Sequence, residues 1–186
     1  INARKGSYEG AHIYPHEVKP IWIGVIATNV PFLIYFALTL PWQAVAWMVA
    51  YSLFFTFYSA PPLRFKARKY LDAFSNTDYA FPLAFVPLAL GHEPVWLAVI
   101  GLMAWSIAKH AYDAIQDIPQ DSDTGIITTA VHLGPTKTAI WSSFWWVVST
   151  VFFALVNIPL AIANALLAFL LVYGIFKDPT PKKAHD

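Results

Sequence analysis

From residue 21 to residue 40 the chain carries no charged side chain. Twenty apolar residues rising 1.5 Å each cover about 30 Å, the hydrocarbon thickness of a bilayer, so this run is expected to cross a membrane as a helix. Pro31 lies inside it, which membrane helices tolerate better than soluble ones. Five further apolar runs occupy residues 42–58, 79–90, 95–112, 137–156 and 160–176. Pro41, the Pro61-Pro62 pair, the turn Gly91-His92-Glu93-Pro94 and the turn Asn157-Ile158-Pro159 separate them. The run at 79–90 is the shortest and contains Pro82 and Pro87. Proline there removes a helical hydrogen bond and constrains the residue before it.

Only 12% of the 186 residues are charged and 58% are hydrophobic. Soluble globular chains carry roughly a quarter charged residues. The expected fold class is therefore all-α, a polytopic transmembrane helix bundle with six spans, forming a single domain over residues 1–186. There is no cysteine, which excludes disulfides and thiolate metal sites. No nucleic-acid partner is expected; membrane lipid is. The first residue is Ile1, and the polar Asn2-Ala3-Arg4-Lys5-Gly6 does not make a signal peptide, so residue 1 is not expected to be the natural start.

The basic residues orient these spans. If the first twenty residues lie inside, the inner segments are 1–20, 61–78, 113–136 and 177–186. All twelve Lys and Arg then fall in those segments or at the inner end of a helix, and the outer turns near Pro41, His92 and Asn157 have none. By the positive-inside rule the inner face is cytoplasmic.

On that face four of the chain's eleven acids crowd into residues 113–123. Acids beside hydrocarbon are costly and tend to mark function. Asp113, Asp117 and Asp121 are four apart, a spacing that stacks side chains along one face of a helix, although Pro119 places the helix end near Ile118, with residues 121–125 expected in a turn that bends back toward the same site. Converging carboxylates call for a cation, and Mg²⁺ commonly binds one or two carboxylates together with substrate phosphates. Arg64, Lys66 and Arg68 lie on the same face and suit an anionic substrate, most economically a phosphate or diphosphate. As a solvated inner loop they would instead need no ligand. Lys109 is either a snorkelling side chain or a further diphosphate contact. The six histidines show no metal-ligand spacing, and most read as interfacial.

Asp117-Ile118-Pro119-Gln120-Asp121-Ser122-Asp123-Thr124-Gly125-Ile126, with Thr128-Thr129 and Leu133-Gly134 after it, resembles the second aspartate-rich motif of UbiA-type membrane prenyltransferases. Tyr58-Ser59-Ala60-Pro61-Pro62-Leu63-Arg64-Phe65-Lys66 resembles that family's tyrosine and basic motif. Residues 58–72, Ser75-Asn76 and His110-Ala111-Tyr112 are most similar to the carotenoid, lycopene elongase-type branch. Lys69, Lys109, Asp113 and Gln116 depart from that branch's pattern.

The resemblance implies an enzyme in which Asp117 and Asp121 hold Mg²⁺ on the diphosphate of an allylic prenyl donor. Arg64, Lys66 and Tyr58 would grip its oxygens, with Arg68 and Lys109 as further contacts and Asp113 as a further metal ligand. The hydrophobic acceptor would be a C40 carotenoid, or in sister branches an aromatic acid or a glycerol phosphate. It also implies a bundle of nine helices, with the first aspartate-rich motif just before Asn2 and two helices ahead of it. A ninth helix is expected after His185, so these 186 residues alone are not expected to be a competent enzyme. A cation transporter is the rival from another class. It would need acids at mid-span, and none of the six runs has one.

Overall fold

The computed structural model describes residues 15–60 and 62–182. Residues 1–14 of the inner segment expected to be a loop over 1–20, with Arg4 and Lys5, lie outside the described residues, as do Pro61 and residues 183–186. Residues 15–20 are helical rather than a loop, so the first helix starts before Pro20. Helices are α1 (Pro15–Thr39), α2 (Trp42–Ser59), α3 (Leu71–Phe74), α4 (Phe81–Ala89) and α5 (Trp96–Asp113). They continue as α6 (Ile118–Asp123), α7 (Thr129–Leu133), α8 (Pro135–Ala154) and α9 (Ile158–Lys177). Among the described residues there is no strand, and all six apolar runs become helices.

The third is shorter than the sequence suggested. α4 has nine residues, preceded by a 3₁₀ turn at Asp78–Ala80, and covers about 13 Å at 1.5 Å per residue. Pro82 sits in its first turn, where a missing N–H costs nothing, while Pro87 weakens its last turn. Among the described residues two helices pass on length and hydropathy alone, His16–Thr39 and Ile158–Lys177, with mean hydropathies of 1.9 and 2.2. α2, α5 and α8 have 18, 18 and 20 residues and carry more Trp, Tyr and hydroxyl side chains.

α5 is the centre of the packing. It lies along α8, α8 lies along α9, and α2 packs on α4. The α5 face toward α8 is built from small residues: Gly101, Ala104, Ala108 and Ala111 are all buried. α8 answers with buried Thr138, Ala139, Ser142 and Ser149. Small residues let membrane helices approach closely, so that dispersion between backbones replaces a hydrophobic drive that lipid cannot supply. Gly101 shows how close: a Cβ there would stand 2.8 Å from Cδ1 of Phe153.

Larger side chains lock the inner end. Tyr112 packs against Trp146 with ring centroids 5.5 Å apart, and its hydroxyl donates to the Leu171 carbonyl at 3.1 Å. Ile115 and Ile175 are fully buried beside them. The outward faces are apolar, with Leu38 82% and Phe169 65% exposed. Such surfaces suit lipid or other helices rather than water.

Candidate active site

The basic segment leaves α2 at Ser59 and turns on a 3₁₀ helix at Phe65–Ala67, which carries Lys66. Among the described residues, the non-glycine positions with positive φ are Arg64 at 42° and Tyr70 at 67°, both in this segment. Each costs about 1–3 kcal/mol and persists only where the surroundings hold it.

The acidic segment is built differently from the sequence expectation. α5 ends at Asp113, not near Ile118. The chain then tightens through bonds from Ile115 N–H to the Tyr112 carbonyl (3.0 Å), Gln116 to Asp113 (3.2 Å) and Asp117 to Ala114 (3.2 Å). These i→i+3 bonds are 3₁₀ in kind, which turns the backbone faster than an α-helix does. α6 follows, with Pro119 in its first turn. Gly125, at φ 71°, lets Ile126 N–H return to the Asp121 carbonyl at 2.9 Å. Asp113, Asp117 and Asp121 therefore do not stack on one helix face, yet the change of winding still brings all three to one cavity.

That cavity holds about 370 Å³. It is lined by Tyr58 from α2, Lys66 from the 3₁₀ turn, His110 and Asp113 from α5, Ala114 and Asp117 from the tight winding after it, Asp121 from α6, and Ile126 and Thr128 from the segment that follows. Of the eight residues singled out from the sequence, Tyr58, Lys66, Asp113, Asp117 and Asp121 meet here.

Arg64, Arg68 and Lys109 do not line it. Arg64 is exposed on its left-handed backbone, and Arg68 Nη2 donates to the Pro62 carbonyl at 3.1 Å. Residues of a tight turn point in different directions, so only one of these three closely spaced cations lines the cavity. The Lys109 ammonium forms an i,i+4 ion pair with Asp113 Oδ2. That pair adds a third partner for Lys109 beside the two expected, and it engages one oxygen of the carboxylate expected as an extra metal ligand.

Among the described residues no group of three or more His, Cys, Asp or Glu is arranged to cage a metal ion. Asp117 and Asp121 remain a pair of hard oxygen donors beside a cavity. That donor set fits Mg²⁺, which is usually held by one or two carboxylates and completes its shell with water and phosphate oxygens.

Two participants fall outside the candidate site residues named from the sequence. His110, which entered there only as part of the branch resemblance, lines the cavity, and its ring packs edge-on against Tyr58 with centroids 6.2 Å apart. Its Nδ1 is hydrogen-bonded to the side-chain amide of Asn76, 34 positions away. Asp72, expected to be one more charge in a loop, is fully buried. Its Oδ2 accepts from the Thr129 N–H at 2.9 Å and its Oδ1 from the Thr129 hydroxyl at 2.5 Å. No local pattern announces contacts between residues 57 positions apart. The one available signal was an acid in the basic loop and a Thr-Thr pair after the acidic motif.

Comparison with known proteins bears on this geometry. The model of the UbiA prenyltransferase family matches residues 17–185. A lycopene elongase/hydratase of Halobacterium salinarum is 38% identical over 153 residues, covering 81% of this chain and 55% of that protein. One from Haloferax volcanii is 40% identical over 129 residues, covering 69% and 42%. A C(50) beta-cyclic carotenoids biosynthesis protein of a Dietzia species is 29% identical over 173 residues, covering 91% and 40%. The chain thus spans about half the length of the curated relatives it matches. No solved structure matches it.

Proposed function

The chain belongs to the UbiA prenyltransferase family, whose members are membrane-integral helical enzymes, and on that premise we propose that its protein transfers a prenyl group from an allylic diphosphate to a hydrophobic acceptor within the bilayer. The acceptor proposed is a C40 carotenoid, because three matched relatives carry carotenoid-modifying names. The observation that carries the reading is the shared cavity, which Lys66, Asp117 and Asp121 all line. A diphosphate is an anion that needs both a direct cation and a metal bridge to sit beside carboxylates. The distribution of Lys and Arg along the sequence supports a cytoplasmic position for this cavity.

Lys66 holds diphosphate oxygens as a point charge, and the Tyr58 hydroxyl is placed to donate to them. Asp117 and Asp121 would hold Mg²⁺, which when bound neutralises the diphosphate and stabilises the charge it gains as its carbon–oxygen bond breaks. Lys66 acts in the same sense, attracting the leaving group more strongly than the intact ester, and such a difference lowers the barrier. The acceptor's double bond supplies the electron pair for the new carbon–carbon bond. The resulting cation then loses a proton or takes up water. Next to the cavity, the buried Ile107, Ala108, Ala111 and Tyr112 keep bulk water from the bundle interior.

The test is product formation by the full-length protein with dimethylallyl diphosphate and either lycopene or an aromatic acid. Elongated lycopene is the expected product. Transfer only to the aromatic acid would move the protein to a sister activity. Metal-dependent ion flux in vesicles without any prenyl transfer would replace the enzyme reading with a transporter.

A further inference from the structure

The basic segment is not a loop resting on the surface. It is strapped to the segment that follows the acidic motif. The Thr129 hydroxyl donates to Asp72 Oδ1 at 2.5 Å and also accepts the Tyr70 N–H at 2.8 Å. The Thr129 N–H meets the other Asp72 oxygen at 2.9 Å. Three hydrogen bonds therefore converge on one threonine and join two segments that lie 57 to 59 positions apart.

The strap sits between two pieces of the cavity. Asp72 N–H bonds to the Arg68 carbonyl at 3.0 Å, and Arg68 N–H bonds to the Phe65 carbonyl at 3.0 Å, so the turn holding Lys66 continues directly into Asp72. On the other side Thr129 follows Thr128, which lines the cavity and caps α7 by accepting the Val131 N–H. The strained Tyr70 backbone lies within the strap, and the strained Arg64 opens the turn it secures. An unusual backbone kept at two places in one segment calls for something that over-determines it. The fully buried carboxylate of Asp72 supplies that.

We propose that Asp72 is a positioning residue which, through Thr129, fixes the basic segment so that Lys66 faces Asp117 and Asp121 across the cavity. It touches neither substrate nor metal, and it sets diphosphate affinity by holding the cation in register with the acids. This rests on the cavity being the diphosphate site.

The strap is tested in the full-length protein; these 186 residues contain no cysteine, and any cysteine outside them is first replaced by serine. Spin labels on Lys69→Cys and Ile127→Cys, both exposed positions outside the cavity wall, report the distance between the two segments. Asp72→Asn turns an NH₂ toward the Thr129 N–H or its hydroxyl, and Thr129→Val removes the shared oxygen. Both are expected to broaden the distance distribution. Both should also raise the KM for dimethylallyl diphosphate about tenfold or more with the acceptor KM little changed. Thr129→Ser keeps the hydroxyl and is expected to restore a narrow distribution and a KM within about twofold of the parent.

Unchanged distances in Asp72→Asn and Thr129→Val overturn the strap. Broadened distances with an unchanged diphosphate KM, or a loss confined to kcat, overturn its positioning role and leave a purely structural one. If Asp72→Asn does not insert, the Thr129→Val and Thr129→Ser pair decides the matter. A parent that makes no prenylated product defeats the functional reading instead, and the distance measurement still decides whether the strap exists.

Discussion

Lys109 and Asp113 are ion-paired one helical turn apart on α5, at the edge of the cavity. Their side chains are 35% and 41% exposed, and partly exposed i,i+4 pairs contribute only about 0.3–0.5 kcal/mol. The pair matters more for how it divides labour, because it ties up one carboxylate and one ammonium within the site. Lys109→Met is therefore expected to change the diphosphate KM by less than about threefold, while Lys66→Met raises it about tenfold or more. Steady-state kinetics of the full-length protein separates the two. A larger effect at Lys109 would mean that the pair opens when substrate binds.

Asp117→Ala and Asp121→Ala are each expected to abolish turnover while leaving membrane insertion intact. Chelation of divalent cations should do the same to the parent, and added Mg²⁺ should restore the parent but neither variant. Product assays on purified, detergent-solubilised protein check this. Retained activity in both variants would remove these residues from the metal site.

His110 and Tyr58 should act as a unit. The Tyr58 ring meets the His110 ring edge-on, and Asn76 holds the far side of the imidazole. His110→Ala is expected to lower kcat/KM, and a double-mutant cycle with Tyr58→Phe should show a coupling of about 0.5–1.5 kcal/mol, typical of paired rings in contact. Strict additivity would make the two rings independent.

Gly101→Leu is expected to force α5 away from Phe153 on α8, costing about 1–3 kcal/mol of stability, as overpacking does in well-filled cores. Gly101→Ala should cost less, and Phe153→Leu should recover part of either loss by removing the ring that a Cβ would strike. Thermal unfolding in detergent is the measurement. Activity at low temperature should survive in Gly101→Ala, since that crossing is remote from the cavity wall.

The helices were legible because a span needs about twenty residues without charge, a pattern visible in one dimension. α4 was legible as a helix but not at its true length, because proline marks a boundary without saying whether the helix resumes. Most of the cavity could be read from the Asp117 and Tyr58 motifs. The direction of each cation could not. Lys66 lines the cavity while Arg64 and Arg68 do not, and that depends on a left-handed residue and a 3₁₀ turn. Asp72 and His110 were missed for a related reason, since burial in each case depends on a partner tens of residues away. The four-residue spacing of the aspartates suggested convergence along a helix that runs on to Ile118, whereas a 3₁₀ winding after Asp113 and the short α6 bring them to one cavity.

The tight winding between Tyr112 and Asp117 has a further consequence. With its carbonyls and amides engaged three residues apart, this stretch is a spacer of fixed length whose bonds are made by backbone. Gln116, only partly buried, is free to drift, whereas adding or deleting a single residue there would rotate everything downstream and swing Asp117 and Asp121 off the cavity together. Relatives that share this chemistry should therefore differ freely in what occupies that position and hardly ever in how many residues it takes to get across.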